Sequence, residues 1–411
     1  MNAPLDQRDR WVPPGVDALP LDRVGDSGWN ALSDLLFPVL VLKDSALEHN
    51  LAQMAEFCRR HGVDLAPHGK TTMSPQLIQR QLGAGAWGVT AATPAQARLF
   101  RAFGVQRVLL ANQVVDPLGL RWLAAELQAH PQAWLCCLVD SEPSVDLMEA
   151  ALAGAARPLP VLLELGVTGG RTGCRTPQEA RAVARRVQGS RSLRLVGVEC
   201  FEGVARDAGD RVDGMLAGVR ALAGDLAGAG AFDEAPEIVV SAGGSAFFDR
   251  VVHHLAGGWD LGRPVRVVLR SGCYLTHDHG HYERLSPFGG RLPEWEPLRQ
   301  AMEIWGLVHS RPEPDLAIVG FGKRDVSYDL ALPRPLRVRR PQRPPREAAG
   351  MEVFQLNDQH AYVRVPAGDD LAVGDLLGCG LAHPCTVFDK WRSVPVVDDD
   401  YGVVGAIRTC F

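Results

Sequence analysis

The chain is almost without lysine. Among its 411 residues, lysine and arginine together number 43, yet only Lys43, Lys70, Lys323 and Lys390 are lysine. Long apolar runs are also missing, so no segment reads as a membrane span. The opening stretch MNAPLDQRDRWVPPG lacks the basic-then-apolar order of a secretory signal. The nine cysteines are scattered and form no CxxC pair. An odd number without pairing suggests free thiols in a cytoplasmic protein and argues against a disulfide framework. There is no basic stripe, and the net charge of −5 makes a nucleic-acid surface an unattractive reading. The arginine-rich stretch from Arg334 to Arg346 is expected to be a solvated, proline-stiffened connection. Neither nucleic acid nor membrane is expected as a partner.

What remains is globular, with 46% apolar and 22% charged residues. The length suits two domains, or one large barrel with a smaller module. Residues 1–35 have weak periodicity and are expected to pack on the later β-rich part. From Pro38 onward, short apolar runs alternate with helical patterns. Strands are expected at Phe37 to Leu42, Asp64 to Ala66, Gly88 to Ala91, Arg107 to Ala111, Trp134 to Val139, Pro160 to Glu164, Leu195 to Glu199, Glu237 to Ser241 and Val265 to Arg270. Helical spacing fills the stretches between most of them, as in Ala46 to His61 and Pro177 to Gln188. Eight or nine β/α units over some 250 residues predict a closed (β/α)8 barrel of the TIM type over residues 36–295. Beyond about residue 295 helical periods fade. Short strands separated by glycine and proline predict a β-rich domain over 296–411.

In such a barrel, chemistry collects at the C-terminal ends of the strands. Lys70 stands there, in Asp64-Leu65-Ala66-Pro67-His68-Gly69-Lys70-Thr71. Arginine cannot form a Schiff base, because its guanidinium stays protonated, whereas a desolvated lysine can. The segment therefore reads either as the Schiff-base lysine of a pyridoxal 5'-phosphate (PLP) enzyme or as a solvated lysine at a strand end. Two later strand ends carry turns suited to an anion. Ser241-Ala242-Gly243-Gly244-Ser245 offers backbone N–H groups and hydroxyls, and Ser271-Gly272-Cys273-Tyr274 follows the next strand. A glycine-rich turn after Glu164 carries Arg171, which suits an anionic oxygen of a cofactor or a simple loop cap. His383-Pro384-Cys385, in the β-rich part, brings an imidazole and a thiol close together, and both are good zinc ligands. Two ligands cannot close a site, so an ion there would keep open positions. His277, Asp278, His279 and His281 look like a metal tract, but consecutive side chains cannot all converge on one ion.

These segments, in this order, resemble the D-serine dehydratase-like family of fold-type III PLP enzymes, relatives of the alanine racemases and D-threonine aldolases. The resemblance runs from about residue 38 to the C-terminus and includes Pro67-His68-Gly69-Lys70-Thr71, Arg171-Thr172-Gly173, Asn357-Asp358-Gln359-His360 and His383-Pro384-Cys385. It implies an alanine racemase-like barrel with a C-terminal β domain. It makes Lys70 the catalytic lysine that anchors the cofactor. Ser241, Gly243, Gly244, Ser245, Gly272, Cys273 and Tyr274 would hold the phosphate, Arg171 would stand near the phenolic oxygen, and His383 and Cys385 would bind Zn2+. A homodimer is implied, with the site at the interface and the metal pair facing the partner's Lys70. Gly166 and Thr168 depart from the family pattern, and the tract from His277 to His281 resembles a branch loosely called amino-acid deaminases. Both departures bear on the substrate rather than the cofactor.

The activity this implies is β-elimination on a 3-hydroxy D-amino acid such as D-serine or D-threonine, giving a 2-oxo acid and ammonia. A retro-aldol lyase of the D-threonine aldolase type is the nearest rival. The aldolase branch carries an acid at the position of Cys385, and a thiolate favours zinc over harder ions. A racemase would leave His383 and Cys385 without a role, and a PLP-carrier or regulatory protein would have no turnover.

Overall fold

The structure is a computed structural model and describes residues 3–205, 209–341 and 343–411. The first strand is β1 (Val39–Lys43). Eight strands follow: β2 (Asp64–Leu65), β3 (Val89–Ala91), β4 (Arg107–Gln113), β5 (Trp134–Val139), β6 (Leu159–Glu164), β7 (Leu193–Glu199), β8 (Ile238–Ser241) and β9 (Val265–Leu269). These eight form one parallel sheet in the order β2-β9-β8-β7-β6-β5-β4-β3. Helices cover its outer face, so the strands are buried on both sides and read as apolar runs without alternation. The covering helices start where a small polar side chain precedes a proline. Ser74, Thr93 and Thr176 accept the N–H groups of Leu77, Gln96 and Glu179, with Pro75, Pro94 and Pro177 at the first helical position.

The ring closes between its end strands β3 and β2 by a seam rather than a full ladder. His68 and Thr90 form a single parallel bridge. The Thr90 N–H donates to the Pro67 carbonyl at 2.9 Å, and its hydroxyl donates to the Ala66 carbonyl at 2.6 Å. Lys70 leaves the barrel at this seam.

The second sheet contains β10 (Met302–Glu313), β11 (Leu316–Val319), β12 (Arg334–Arg339), β13 (Arg346–Glu347), β14 (Glu352–Leu356), β15 (Ala361–Arg364), β16 (Leu376–Gly380), β17 (Ser393–Val397) and β18 (Val403–Arg408). Its main path runs β13-β12-β16-β10-β1-β17-β18, so β1 lies inside it. Val39 pairs with Trp305 and Leu42 with Val396. The apolar run at residues 37–42, counted with the barrel from sequence, is therefore a central strand of the second sheet. An apolar strand followed by an amphipathic helix reads the same whichever sheet it joins. Its helix α1 (Asp44–His61) does pack on the barrel side, where Phe57 meets Phe248 with ring centroids 5.1 Å apart.

A second expectation is corrected at the sheet edge. The arginine-rich stretch contains the paired strands β12 and β13. Edge strands tolerate proline and charge, which made this one look like a loop. Residues 3–35 lie on the second sheet. The Trp11 indole N–H donates to Ser393, Asp9 pairs with Arg408 at 2.5 Å, and Arg10 pairs with Asp325 at 2.7 Å. Among the described residues, no helix is long and apolar enough to cross a membrane.

Candidate active site

Lys70 sits in a single 3-10 turn, Gly69–Thr71, directly after the seam. A side chain at position 69 would collide with the Phe100 ring and Val89, so glycine lets the turn rest against the barrel wall. Lys43 pairs with Glu303 and Lys390 with Asp389, whereas Lys70 has no carboxylate partner among the described residues. Beside it, burial and the positive charge of Lys70 hold His68 well below the usual imidazole range, so the ring is neutral. Its Nδ1 is buried without a hydrogen-bond partner. The protein leaves this polar atom for a bound group or water to satisfy.

The turn after β8 presents two converging donors. Gly243 and Gly244 N–H both donate to the Glu202 carboxylate, at 3.0 and 2.6 Å. Gly243 has φ +99°, which brings the two N–H groups to the same side and favours glycine. Glu202 is fully buried, and its carboxylate occupies an anion position that a phosphate oxygen could take. The neighbouring turn comes close. A Cβ on Gly272 would stand 2.8 Å from the His68 carbonyl and 3.1 Å from Thr71 Oγ1. The cofactor turns and the lysine turn are thus packed together.

Three side chains of these turns have partners of their own, which leaves the turns to contribute their backbone. The Ser241 hydroxyl donates to the Val268 carbonyl at 2.9 Å and accepts from Arg270 at 2.6 Å, so it braces the barrel. The Tyr274 hydroxyl accepts from Gln81 at 3.2 Å, and the ring lines a cleft between α1 and α2 (Pro75–Gly83). The Cys273 thiol turns to Cys385. The cradle keeps the Gly243 and Gly244 N–H groups, with the half-buried Ser245 at the end of the turn and Gly272 packed alongside. Side-chain direction at a strand end is set by tertiary packing, which a motif does not record.

The cradle also holds charges the sequence did not single out. Arg270 pairs with Glu199 at 2.8 Å, both nearly inaccessible to solvent. Burial nevertheless pushes Glu199 up to about 7. Glu164 accepts from Gln113 at 2.5 Å and from the Thr172 hydroxyl at 2.8 Å. Arg171 is exposed, and its guanidinium lies over the Phe201 ring at 4.5 Å. It is near enough for its charge to help depress His68. The turn that carries it is braced by Arg175, which donates to the carbonyls of Thr172 and Gly173 at 2.6 and 2.7 Å.

The pair in the second domain meets the lysine turn of the same chain. Cys385 Sγ lies 3.3 Å from Thr71 Oγ1 and 3.5 Å from Cys273 Sγ. His383 and Cys385 thus stand against the turn that carries Lys70 in their own chain. His383 has φ +50°, an uncommon conformation for a residue with a side chain. Its N–H donates to Asp278 Oδ2 at 3.1 Å, and its Nδ1 contacts Asp329 Oδ2 at 2.5 Å. Hydrogen bonding to the Cys385 sulfur, together with Asp329, pushes His383 up to about 9. The hydrogen bond from Cys273 and the nearby His383 hold Cys385 well below the usual thiol range. Asp278 Oδ1 also accepts the N–H groups of Gly280, Tyr282 and Glu283, so the acid of the histidine tract is a clamp. Burial lowers His279 to about 4. Among the described residues, no three His, Cys, Asp or Glu side chains already enclose an ion.

The residues present fit both groups that the fold implies. For PLP, the orphaned His68 Nδ1, the two converging N–H donors and the lysine without a carboxylate partner surround one small region. For zinc, the donors are an imidazole oriented by a carboxylate at Nδ1, as metal-binding histidines commonly are, and a thiol biased toward thiolate.

Comparison with known proteins agrees with this architecture. The family model "Alanine racemase, N-terminal domain" matches residues 43–264, and "Putative serine dehydratase domain" matches residues 301–397. The chain belongs to this alanine racemase-like, D-serine dehydratase-related family of fold-type III PLP enzymes. With lyases among its curated relatives, it is a PLP-dependent lyase. It is 26% identical to a D-threonine aldolase of Arthrobacter sp over 375 residues, covering 89% of this chain and 90% of that one. It is 25% identical to a 3-hydroxy-D-aspartate aldolase of Paracoccus denitrificans (strain Pd 1222) over 309 residues, 73% and 76% of the two chains. Two solved structures share the fold. The D-threonine aldolase from Filomicrobium marinum has a TM-score of 0.73 at 24% identity, covering 92% of this chain and 96% of that one. The D-threo-3-hydroxyaspartate dehydratase from Delftia sp. HT23 has a TM-score of 0.71 at 22% identity, covering 92% and 98%.

Proposed function

We propose that the protein is a PLP- and zinc-dependent dehydratase of 3-hydroxy D-amino acids such as D-serine or D-threonine, releasing a 2-oxo acid and ammonia. One observation carries this reading: the turn holding Lys70 and the turn holding His383 and Cys385 meet, with Thr71 Oγ1 3.3 Å from Cys385 Sγ. A base for the α-proton and a metal pair for the β-substituent thus flank the same space. PLP, when bound, supplies an electron sink for the charge left at Cα. Lys70 Nζ anchors the cofactor and, as a free amine, takes the α-proton. Gly243 and Gly244 N–H receive the phosphate in place of Glu202. His383 and Cys385 would hold zinc, which would supply Lewis acidity toward the β-hydroxyl, a poor leaving group as hydroxide. Loss of the α-proton and the β-hydroxyl leaves an unsaturated amine, which water converts to the 2-oxo acid and ammonia. We further propose that the protein works as a cytoplasmic homodimer; its nine free cysteines suit a reducing compartment.

The curated relatives favour a second reading, because those named above are aldolases. Retro-aldol cleavage would use the same cradle and metal pair, but the proton removed would be that of the β-hydroxyl and the bond broken Cα–Cβ. The soft donor set favours zinc and thereby the elimination. Replacing the lysine tests the shared foundation. Lys70→Ala is expected to lose both the bound-cofactor absorbance and all turnover, and turnover retained in that variant would end the Schiff-base assignment.

A further inference from the structure

We propose that Cys273 is a third protein ligand of the metal, giving a Cys2His set of Cys273, Cys385 and His383 with one position open to substrate. The inference rests on the zinc reading above and adds a ligand to it. Cys273 comes from the barrel, at the turn after β9, whereas His383 and Cys385 come from the second domain. The two sulfurs are 3.5 Å apart. Two sulfurs bound to one tetrahedral zinc at about 2.3 Å each stand roughly 3.8 Å apart, so the observed edge needs only a few tenths of an ångström of adjustment. Both sulfurs also have the Thr71 hydroxyl beside them. Thr71 Oγ1 is 3.3 Å from Cys385 Sγ and 3.9 Å from Cys273 Sγ. Hydroxyl donors to thiolates are the kind of outer partner that fixes and tunes metal ligands.

His383 completes the set from the second domain. Asp329 engages its Nδ1, leaving Nε2 as the ligating atom. As placed, the three side chains do not yet enclose an ion, so binding draws the imidazole toward the sulfur pair while the thiols lose their protons to solvent. A ligand from each domain would tie the β-rich domain to the barrel beside Lys70. Three protein ligands and one open position are the pattern of catalytic rather than structural zinc.

The test is zinc-edge X-ray absorption on the zinc-loaded holoenzyme, prepared under reductant, together with zinc titrations of the wild type and Cys273→Ser. The expected result is two sulfur neighbours at about 2.3 Å in the wild type, one in Cys273→Ser, and zinc affinity lower by at least about tenfold to 100-fold in the variant. A single sulfur neighbour in the wild type overturns the inference while leaving the His383 and Cys385 pair intact. Wild-type protein that takes up no stoichiometric zinc overturns the metal reading itself. The sulfur count in the wild type decides the matter even if the variant folds poorly.

Discussion

Lys70 and Glu202 are two buried or half-buried charges with opposite fates once a cofactor arrives. Lys70 was legible because lysine is so scarce in this chain that its place at a strand end stands out. Glu202 was not, because nothing in Phe201-Glu202-Gly203 indicates that its carboxylate will reach the N–H groups of Gly243 and Gly244. A phosphate and this carboxylate cannot occupy the same two donors. Glu202→Ala is therefore expected to tighten PLP binding by about tenfold, equivalent to ~1.4 kcal/mol, as read by equilibrium titration of cofactor absorbance. Weaker binding would mean that Glu202 shapes the turn for phosphate instead of competing with it. Glu199 gives a pH signature at the same scale. Burial raises it from 4.5 to about 7 in the fold. Between those values the folded chain keeps a proton that the unfolded chain has released, so stability from this group is full below 4.5 and is lost as pH rises through 7. Melting temperatures of the apo protein across that window should fall more for wild type than for Glu199→Gln, which cannot ionise. Parallel curves would show that Arg270 keeps Glu199 charged throughout.

Strands and turns were legible in proportion to how local their cause is. The eight barrel strands and their helices follow from apolar runs, helical spacing and proline starts, all written within a few residues. The partner of β1 is not local. Val39 pairs with Trp305 across more than half the chain, and a strand buried on both faces carries no mark of which sheet it will enter. The same holds for the turns of the site. Gly272-Cys273-Tyr274 could be recognised as a segment, but the thiol of Cys273 faces Cys385 and the phenol of Tyr274 faces Gln81, directions that packing decides. Cofactor and metal should be separable in solution. A zinc chelator is expected to abolish elimination while leaving the PLP absorbance in place, because Lys70 and the Gly243 and Gly244 N–H groups hold the cofactor without a contribution from His383 or Cys385. An unchanged rate in metal-free protein would remove zinc from the mechanism, and loss of the PLP band on chelation would show that the turns depend on each other.

For the molecule as a whole, the second domain brings His383 and Cys385 to the barrel of the same chain, where Lys70 leaves the seam between β2 and β3. The N-terminal residues lie on the second sheet through Asp9, Arg10 and Trp11, which anchors the domain that carries His383 and Cys385. Fold and family were legible because the motifs occur in order along most of the chain. The bond that breaks was not, because elimination and retro-aldol cleavage draw on the same lysine, cradle and metal pair. The most direct measurement is product analysis after incubating purified, PLP- and zinc-supplied protein with D-threonine. This account predicts 2-oxobutanoate and ammonia in equal amounts. Glycine and acetaldehyde would contradict it, establish the aldolase reading, and show that the thiolate at Cys385 does not decide between the two reactions.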